Sequence, residues 1–377
     1  MGALAGNAVL NAKKDGYIML TKTIFKEGEM KTKGFRFIAL SLILAVGMIL
    51  PAWTQTEAAE ALVKELSFAC MQSPKGLVSE MYIMGWARDV EKATDGRIKV
   101  TIYWSQTLGK ASEQYNTVVK GVADVAYGYQ AWTTGRFPLT SGLELPFLFP
   151  SGVAASRAAW EMYSTTKYLK PEYEDVKVLG LSAMDPKSIF LGKKPVHSLK
   201  DLKGMKIRCQ GLAETKTIEL LGAVPVAFPI TEVYTALERG TVDGTLIAAA
   251  PIYSFRFDQV LKYATEVGLG CGTFFMIMNR KTWDSLPPDI QKSIDEISGL
   301  RISEIGGKVF DLESAEAFKL LTERGIERYR LPPEELKRWK DAVAPIRDWW
   351  VGETQAKRLP AKEVLGEILR LSEKYSK

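Results

Sequence analysis

From residue 62 onward the apolar positions switch between two periods, and each switch marks an element. Leu66 to Ala69 is a short apolar strand with a polar exit through Gln72 to Gly76. Val78, Met81, Tyr82, Gly85, Trp86 and Val90 then recur at helical spacing, which predicts an amphipathic helix over 77–94 that stops at Gly96. Ile98, Val100 and Ile102 alternate with polar residues, the period-two mark of a strand. A turn through Gly109 leads to a helix at about 111–121, and Val125 to Tyr129 reads as the next strand. After Asp185 the pattern returns, with strands at 189–191 and 205–209, a helix at 214–221, a strand at 224–228, a helix at 231–238 and a strand at 242–247. Alternation of this kind predicts an α/β fold, with mostly parallel sheet and helices on its faces.

The later chain is helical. Pro287-Pro288-Asp289 opens a helix with Ile290, Ile294 and Ile297 on one face. Helical spacing continues to Arg324, with an interruption expected near Gly306-Gly307. Pro332-Pro333-Glu334 opens a helix carrying Trp339, and Leu359-Pro360-Ala361-Lys362 opens the last one. The Trp349-Trp350 pair reads as packing.

The front of the chain has a different character. Phe37 to Leu50 is an apolar run of 14 residues, preceded by Lys31, Lys33 and Arg36 and followed by small residues including Ala58-Ala59-Glu60-Ala61. A basic start, a short apolar core and a small-residue site describe a secretory signal peptide. A membrane-spanning helix would need about 20 apolar residues. Met30 is the natural start of that peptide, so residues 1–29 read as an upstream start-site extension and 30–61 as the signal, cleaved near Ala59 or Ala61. No lipobox cysteine follows the apolar core. The expected location is the periplasm.

About 316 residues remain, enough for two domains. Setting aside the seven Lys/Arg and five Asp/Glu of residues 1–61 lowers the net charge from +6 to +4. With no basic run and no aromatic-basic interleaving, nucleic acid is not an expected partner. Cys70, Cys209 and Cys271 form no C-x-x-C, and Cys70 and Cys271 sit in apolar or glycine-rich segments that suit burial as small hydrophobes. The one histidine, His197, stands beside Ser198, a helix-cap candidate. A single histidine so placed supplies neither a His/Cys metal cluster nor a Ser-His-Asp set. Counting leaves carboxylate-based chemistry open, but nothing singles out a pair, and no metal, cofactor or enzymatic role is expected.

One segment carries more information than the rest. It reads D-L-K-G-M-K-I-R-C-Q-G over 201–211, then G-A-V-P-V-A-F-P-I-T-E-V-Y-T-A-L-E-R-G-T-V-D-G over 222–244. Arg208 ends a short apolar strand and is followed by the Gln210-Gly211 turn, and ligands of open α/β sheets bind beyond such carboxyl ends. An arginine there presents a planar fork that a carboxylate takes bidentately. Cys209, the next residue on the strand, faces the opposite side.

Together with Leu108-Gly109, Gly121, Asp124, Gly135, Phe137-Pro138-Leu139 and Glu144-Leu145-Pro146-Phe147-Leu148-Phe149, this segment resembles the DctP family, the solute-binding proteins of tripartite ATP-independent periplasmic (TRAP) transporters. The resemblance covers nearly all of 62–350. It implies a two-lobed periplasmic binding protein of type II-like fold, with hinge strands and a long domain-crossing helix. Domain I would comprise 62–184 plus 273–312, and domain II 185–272 plus 313–377. It also implies that Arg208 binds the ligand's carboxylate, and that the partners are a small-molecule carboxylate and a permease of small and large integral-membrane subunits. A monomer is the expected state.

Departures from the family pattern shape the expected ligand. Sialic-acid-type members carry a second arginine where this chain has Ser188, with Lys187 beside it, and an asparagine where it has Ile247. The candidate site is therefore Arg208 with Lys187, Gln130, Tyr129, Trp132, Phe190, Phe228, Ile247 and Tyr253. One carboxylate clamp with aromatic walls suits a monocarboxylate with an apolar or aromatic body. A sugar acid needs more hydrogen-bond partners, because buried hydroxyls left unpaired are costly. A dicarboxylate or sugar-acid ligand, and a ligand-binding role in a sensory system, stay open at this point.

Overall fold

A computed structural model describes residues 63–376, and the expected upstream extension and signal peptide lie outside the described residues. Two sheets organise the chain. The first contains β1 (Lys64–Cys70), β2 (Ile98–Tyr103), β3 (Val125–Tyr129), β4 (Val176–Ala183) and β10 (Thr273–Asn279), in the order β2-β1-β3-β10-β4. The second contains β5 (Ser188–Leu191), β6 (Lys206–Cys209), β7 (Val224–Ala227), β8 (Gly244–Ile247), β9 (Tyr263–Glu266) and β11 (Glu327–Arg330), in the order β11-β9-β5-β8-β6-β7.

Neither sheet is as parallel as the alternation predicts. Strands β3 and β4 both pair antiparallel with β10, and β8 and β9 both pair antiparallel with β5. The reason is topological: β5 enters the second sheet directly from the first, and β10 returns directly from the second, each running against its neighbours. Four strands escape the periodicity reading. All seven positions of β10 are buried, so it shows no alternation, and the short E-R-Y-R of β11 is largely exposed.

The helix expected over 77–94 is a π-helical turn, Val78–Ile83, running into an α-helix, Met84–Ala93. It buries Tyr82, Ile83, Trp86 and Val90 against the first sheet, with Trp86 edge-on to Phe68 at 5.8 Å. The interruption expected at Gly306-Gly307 is absent: Leu300–Glu323 is one helix, and the break falls earlier, at Gly299 with φ 67°. The two glycines serve close packing instead. A Cβ on Gly307 would stand 2.6 Å from the Gly152 carbonyl and 2.6 Å from Ser156 Oγ, both on the helix Gly152–Thr165. The first half of the long helix packs on that helix and β4, while Ala317 and Leu321 enter the second sheet's core with Phe190.

The connections between the sheets run side by side. Met184 N donates to Gly272 O at 2.9 Å, Lys187 N to Gly270 O at 2.9 Å, and Leu269 N to Lys187 O at 2.7 Å. Asp185 lies buried in this ribbon. Its Oδ2 accepts from Ser314 Oγ at 2.7 Å and from Ala249 N at 3.1 Å, while Oδ1 has no partner among the described residues. Burial, reinforced by the charge of Asp311, pushes the Asp185 carboxyl up to about 7. Beyond the second sheet the chain comes back. Trp350, Val364, Ile368 and Leu371 join the core of the first sheet, and Glu161 accepts from Arg370 and Lys374 of the helix Ala361–Tyr375. Trp350 thus packs as its sequence suggests, and all three cysteines are free and buried.

Two outcomes follow from this packing. Gly307→Ala is expected to cost about 1–3 kcal/mol in chemical denaturation, because helix and neighbour must move apart. Asp185, whose folded-state pKa lies above the ordinary carboxyl value, favours folding most below about pH 4 and loses that contribution as pH rises through 7. Asp185→Asn keeps the acceptor oxygen and does not ionise. It should stabilise the protein at pH 8 by on the order of 2 kcal/mol, with little change at about pH 4, in thermal melts at the two pH values.

Candidate functional site

Arg208 occupies the third position of β6. Its neighbours Ile207 and Cys209 point into the second sheet's core, so alternation turns Arg208 the other way. It is only 2% exposed. Strand β7 runs parallel beside β6, and just past its end the Phe228 carbonyl accepts from Arg208 Nε at 3.1 Å and Nη2 at 2.9 Å. Nη2 also donates to Gln210 Oε1 at 2.6 Å. The Phe228 ring lies 5.8 Å from the guanidinium carbon. Nη1 has no partner among the described residues, and no carboxylate there lies within 4.0 Å of the guanidinium. Burial lowers the Arg208 pKa and the nearby Glu214 charge partly opposes that, yet a guanidinium stays protonated. The result is a buried cation without a counter-ion.

A second charged cluster adjoins it. Gly211, with φ 87°, turns the chain into the helix Leu212–Leu220, and Glu214 stands in that helix's first turn. Glu214 Oε2 accepts from Gln210 N at 2.6 Å, and Oε1 lies 2.9 Å from Lys187 Nζ. Both side chains are buried, at 3% and 7% exposure. Lys187 Nζ also reaches Tyr129 OH at 3.4 Å. That hydroxyl lies 3.2 Å from Glu144 Oε2 and 3.4 Å from Glu214 Oε1. Glu144 Oε1 accepts from Thr273 N at 2.9 Å and Thr273 Oγ1 at 2.7 Å. Burial alone would lower the Lys187 pKa, but Glu214 and Glu144 outweigh it and hold the ammonium charged. Burial raises the Glu144 carboxyl, against the pull of Lys187. A side chain at Gly270 would run into the Glu144 carbonyl, so only glycine lets the connection pass so close.

The structure joins part of the expected set. Arg208 and the Phe228 carbonyl form one end, and Lys187 and Tyr129 the other, with Glu214 and Gln210 linking them. Trp132 packs edge-on to Tyr129 at 5.4 Å, and its buried Nε1 has no partner among the described residues. Gln130 turns into the first sheet's core, where its amide donates to Tyr173 OH. Phe190 and Ile247 sit in the second sheet's core, Phe190 at 6.2 Å from Phe318. Tyr253 is 66% exposed on the short helix Pro251–Ser254. Glu214 was not anticipated, since one acid in a helical stretch carries no signal of what it meets across a cleft. Glu144 falls in the matched E-L-P-F-L-F block, but only the fold shows its side chain at Tyr129.

A cleft of about 510 Å³ opens elsewhere, among Asp185, Glu266, Asp311, Ser314 and Arg330. Its lining excludes the Arg208 cluster, and its arginine is already paired with Glu266 at 3.0 Å.

Removing one member of a buried ion pair leaves the other charge stranded. Glu214→Ala is therefore expected to cost about 3–5 kcal/mol in urea denaturation. Lys187→Met combined with Glu214→Ala should cost less than Glu214→Ala alone.

The chain is similar to proteins already known. The sequence profile of the family described as bacterial extracellular solute-binding protein, family 7 (DctP), matches residues 71–352. A TRAP solute-binding protein from Rhodoferax ferrireducens, solved with copurified benzoate, is 29% identical, with a TM-score of 0.79 over 83% of this chain and 98% of that one. A marine metagenome TRAP solute-binding protein specific for aromatic acids, solved with 3-hydroxybenzoate, is 28% identical, with a TM-score of 0.80 over 84% of this chain and 100% of that one. The C4-dicarboxylate-binding periplasmic protein DctP of Rhodobacter capsulatus is 26% identical over 68% of this chain and 78% of its own length.

Proposed function

This chain belongs to family 7 of the bacterial extracellular solute-binding proteins, the DctP family of TRAP solute-binding proteins, and we propose that it captures an organic monocarboxylate on Arg208. The observation that carries the reading is the buried guanidinium with a free Nη1 and no carboxylate within 4.0 Å among the described residues. Burying a charge without a partner is expensive, so a fold that does it is built around an anion it does not itself supply. A ligand carboxylate completes the pair, and exclusion of water strengthens it.

Phe228 offers flat apolar surface beside that charge, and Tyr129 with Trp132 edge-on to it stands at the Glu214 end of the cluster, which suits an aromatic or branched body. The aromatic acids bound by two similar proteins support this choice, while the dicarboxylate bound by a third is the competing one. The family is one of transport binding proteins, and the role proposed is capture and delivery, without catalysis. The two sheets act as the cores of two lobes that close over the ligand by flexing the ribbon at 184–187 and 267–272. In this division the helix Ala361–Tyr375 goes with the first lobe, and 185–266 with Glu327–Val343 forms the second. The closed form presents its cargo to the small and large membrane subunits of the transporter. Among the described residues no helix is long and apolar enough to cross a membrane.

The test is thermal unfolding of the purified protein against monocarboxylates, aromatic acids, dicarboxylates and sugar acids. A ligand at about 100 times its dissociation constant adds roughly 2.7 kcal/mol, a visible rise in midpoint. Benzoate or a related aromatic acid is expected to give that rise, and Arg208→Gln to abolish it while leaving the unliganded protein folded. Shifts confined to sugar acids would overturn the apolar pocket, and an undiminished shift in Arg208→Gln would overturn the clamp.

A further inference from the structure

Resting on the reading of Arg208 as the carboxylate site, we infer that Glu214 sets the charge of the ligand: by neutralising Lys187 it leaves the site a single free cation and restricts capture to monoanions. Two cationic side chains stand in this region, and only one lacks a counter-ion. Lys187 Nζ is matched by Glu214 Oε1 at 2.9 Å, while Arg208 has no carboxylate within 4.0 Å among the described residues. The two cations are joined by a short relay. Glu214 Oε2 accepts from Gln210 N at 2.6 Å, and Gln210 Oε1 accepts from Arg208 Nη2 at 2.6 Å. Arg208 and Glu214 also lie close enough for the carboxylate to influence the guanidinium.

A monoanion therefore brings the exposed charge count of the site to balance. A dianion brings one negative charge too many, into a region already lined by Glu214 and Glu144, both buried and both within 3.4 Å of Tyr129 OH. Like charges held in a low-dielectric site repel strongly, so discrimination by charge needs no steric gate. Glu144 adds no cation in either protonation state. Glu214 also holds the Gln210 amide, so the informative substitution is the isosteric Glu214→Gln, which keeps one acceptor oxygen for that amide while it removes the charge and the oxygen facing Lys187. Lys187 then loses its nearest counter-ion and keeps only the more distant Glu144 across Tyr129 OH, so the site presents more positive charge than in wild type.

Titration calorimetry on the full chain tests this with benzoate, succinate and monomethyl succinate, the last two sharing a body and differing in charge. Wild type is expected to bind the monoester at least tenfold more tightly than the diacid. Glu214→Gln should raise succinate affinity relative to benzoate by tenfold or more, and adding Lys187→Met should restore the wild-type ratio. Failure of the monoester to out-bind the diacid in wild type that binds benzoate overturns the inference, whether or not the variants fold. So does a succinate-to-benzoate ratio in folded Glu214→Gln within twofold of wild type, or an equal shift in the double variant. Absence of any carboxylate binding by wild type would instead overturn the clamp at Arg208, and this inference with it.

Discussion

A buried charge must be answered, and the site follows from how this chain answers three of them. Lys187 is answered by Glu214, the pair drawing one residue from the ribbon between the sheets and one from a helix on the second sheet. Glu144 is answered by Thr273 and Tyr129, within the first sheet's side. Arg208 is answered only by carbonyl oxygens, of Phe228 and of the Gln210 side chain. Carbonyl dipoles soften the desolvation of a guanidinium and do not cancel its charge. The residual charge is what the protein offers to its surroundings, from a side chain that is itself buried.

The backbone makes this arrangement possible at a few close approaches. Gly270 passes against the Glu144 carbonyl, and Gly211 turns the chain where a side chain would meet Ala131. Gly306 lets the long helix lie tightly on β4, and Gly307 lets it lie on the helix Gly152–Thr165, before it continues to the second sheet. At Gly270 and Gly307 the close neighbour is a backbone carbonyl, of Glu144 and of Gly152, which cannot turn aside as a side chain can.

Much of this was legible in the residues. The β-strands at 64–70, 98–103, 125–129 and 188–191 stand close to where short apolar runs and, for 98–103, alternation place them; 125–129 and 188–191 are buried on both faces. Arg208 was legible because a charged residue closes an otherwise apolar strand immediately before a glycine turn. The mixed sheets were not, since strand direction is set by the crossings between sheets and leaves no local mark. The continuity of Leu300–Glu323 was not, because a glycine pair reads alike whether it breaks a helix or lets it pack. The Lys187–Glu214 pair was least legible of all: 27 residues separate the two, and neither neighbourhood announces its partner. Gln130 and Phe190 enter the candidate set by their places near strand ends, and Ile247 as a departure from the family's asparagine; the fold sets Gln130 against Tyr173, and Phe190 and Ile247 in the core cluster against which Phe228 also packs.

The path of the chain through the two sheets has a consequence for how the molecule is made. The first sheet opens with β1 at Lys64, yet its core is closed by Ile368 and Leu371, some three hundred residues later. Between them the chain travels to the second sheet and back, and the long helix ties both cores before that last helix docks. Contacts of such sequence separation form slowly, because a long loop must close before they reward it. The lobe whose strands come first is thus the one completed last. A chain emerging in order from a narrow passage would hold its earliest strands unsealed until its final helix arrived, and would reach its full cooperative strength only as a finished whole.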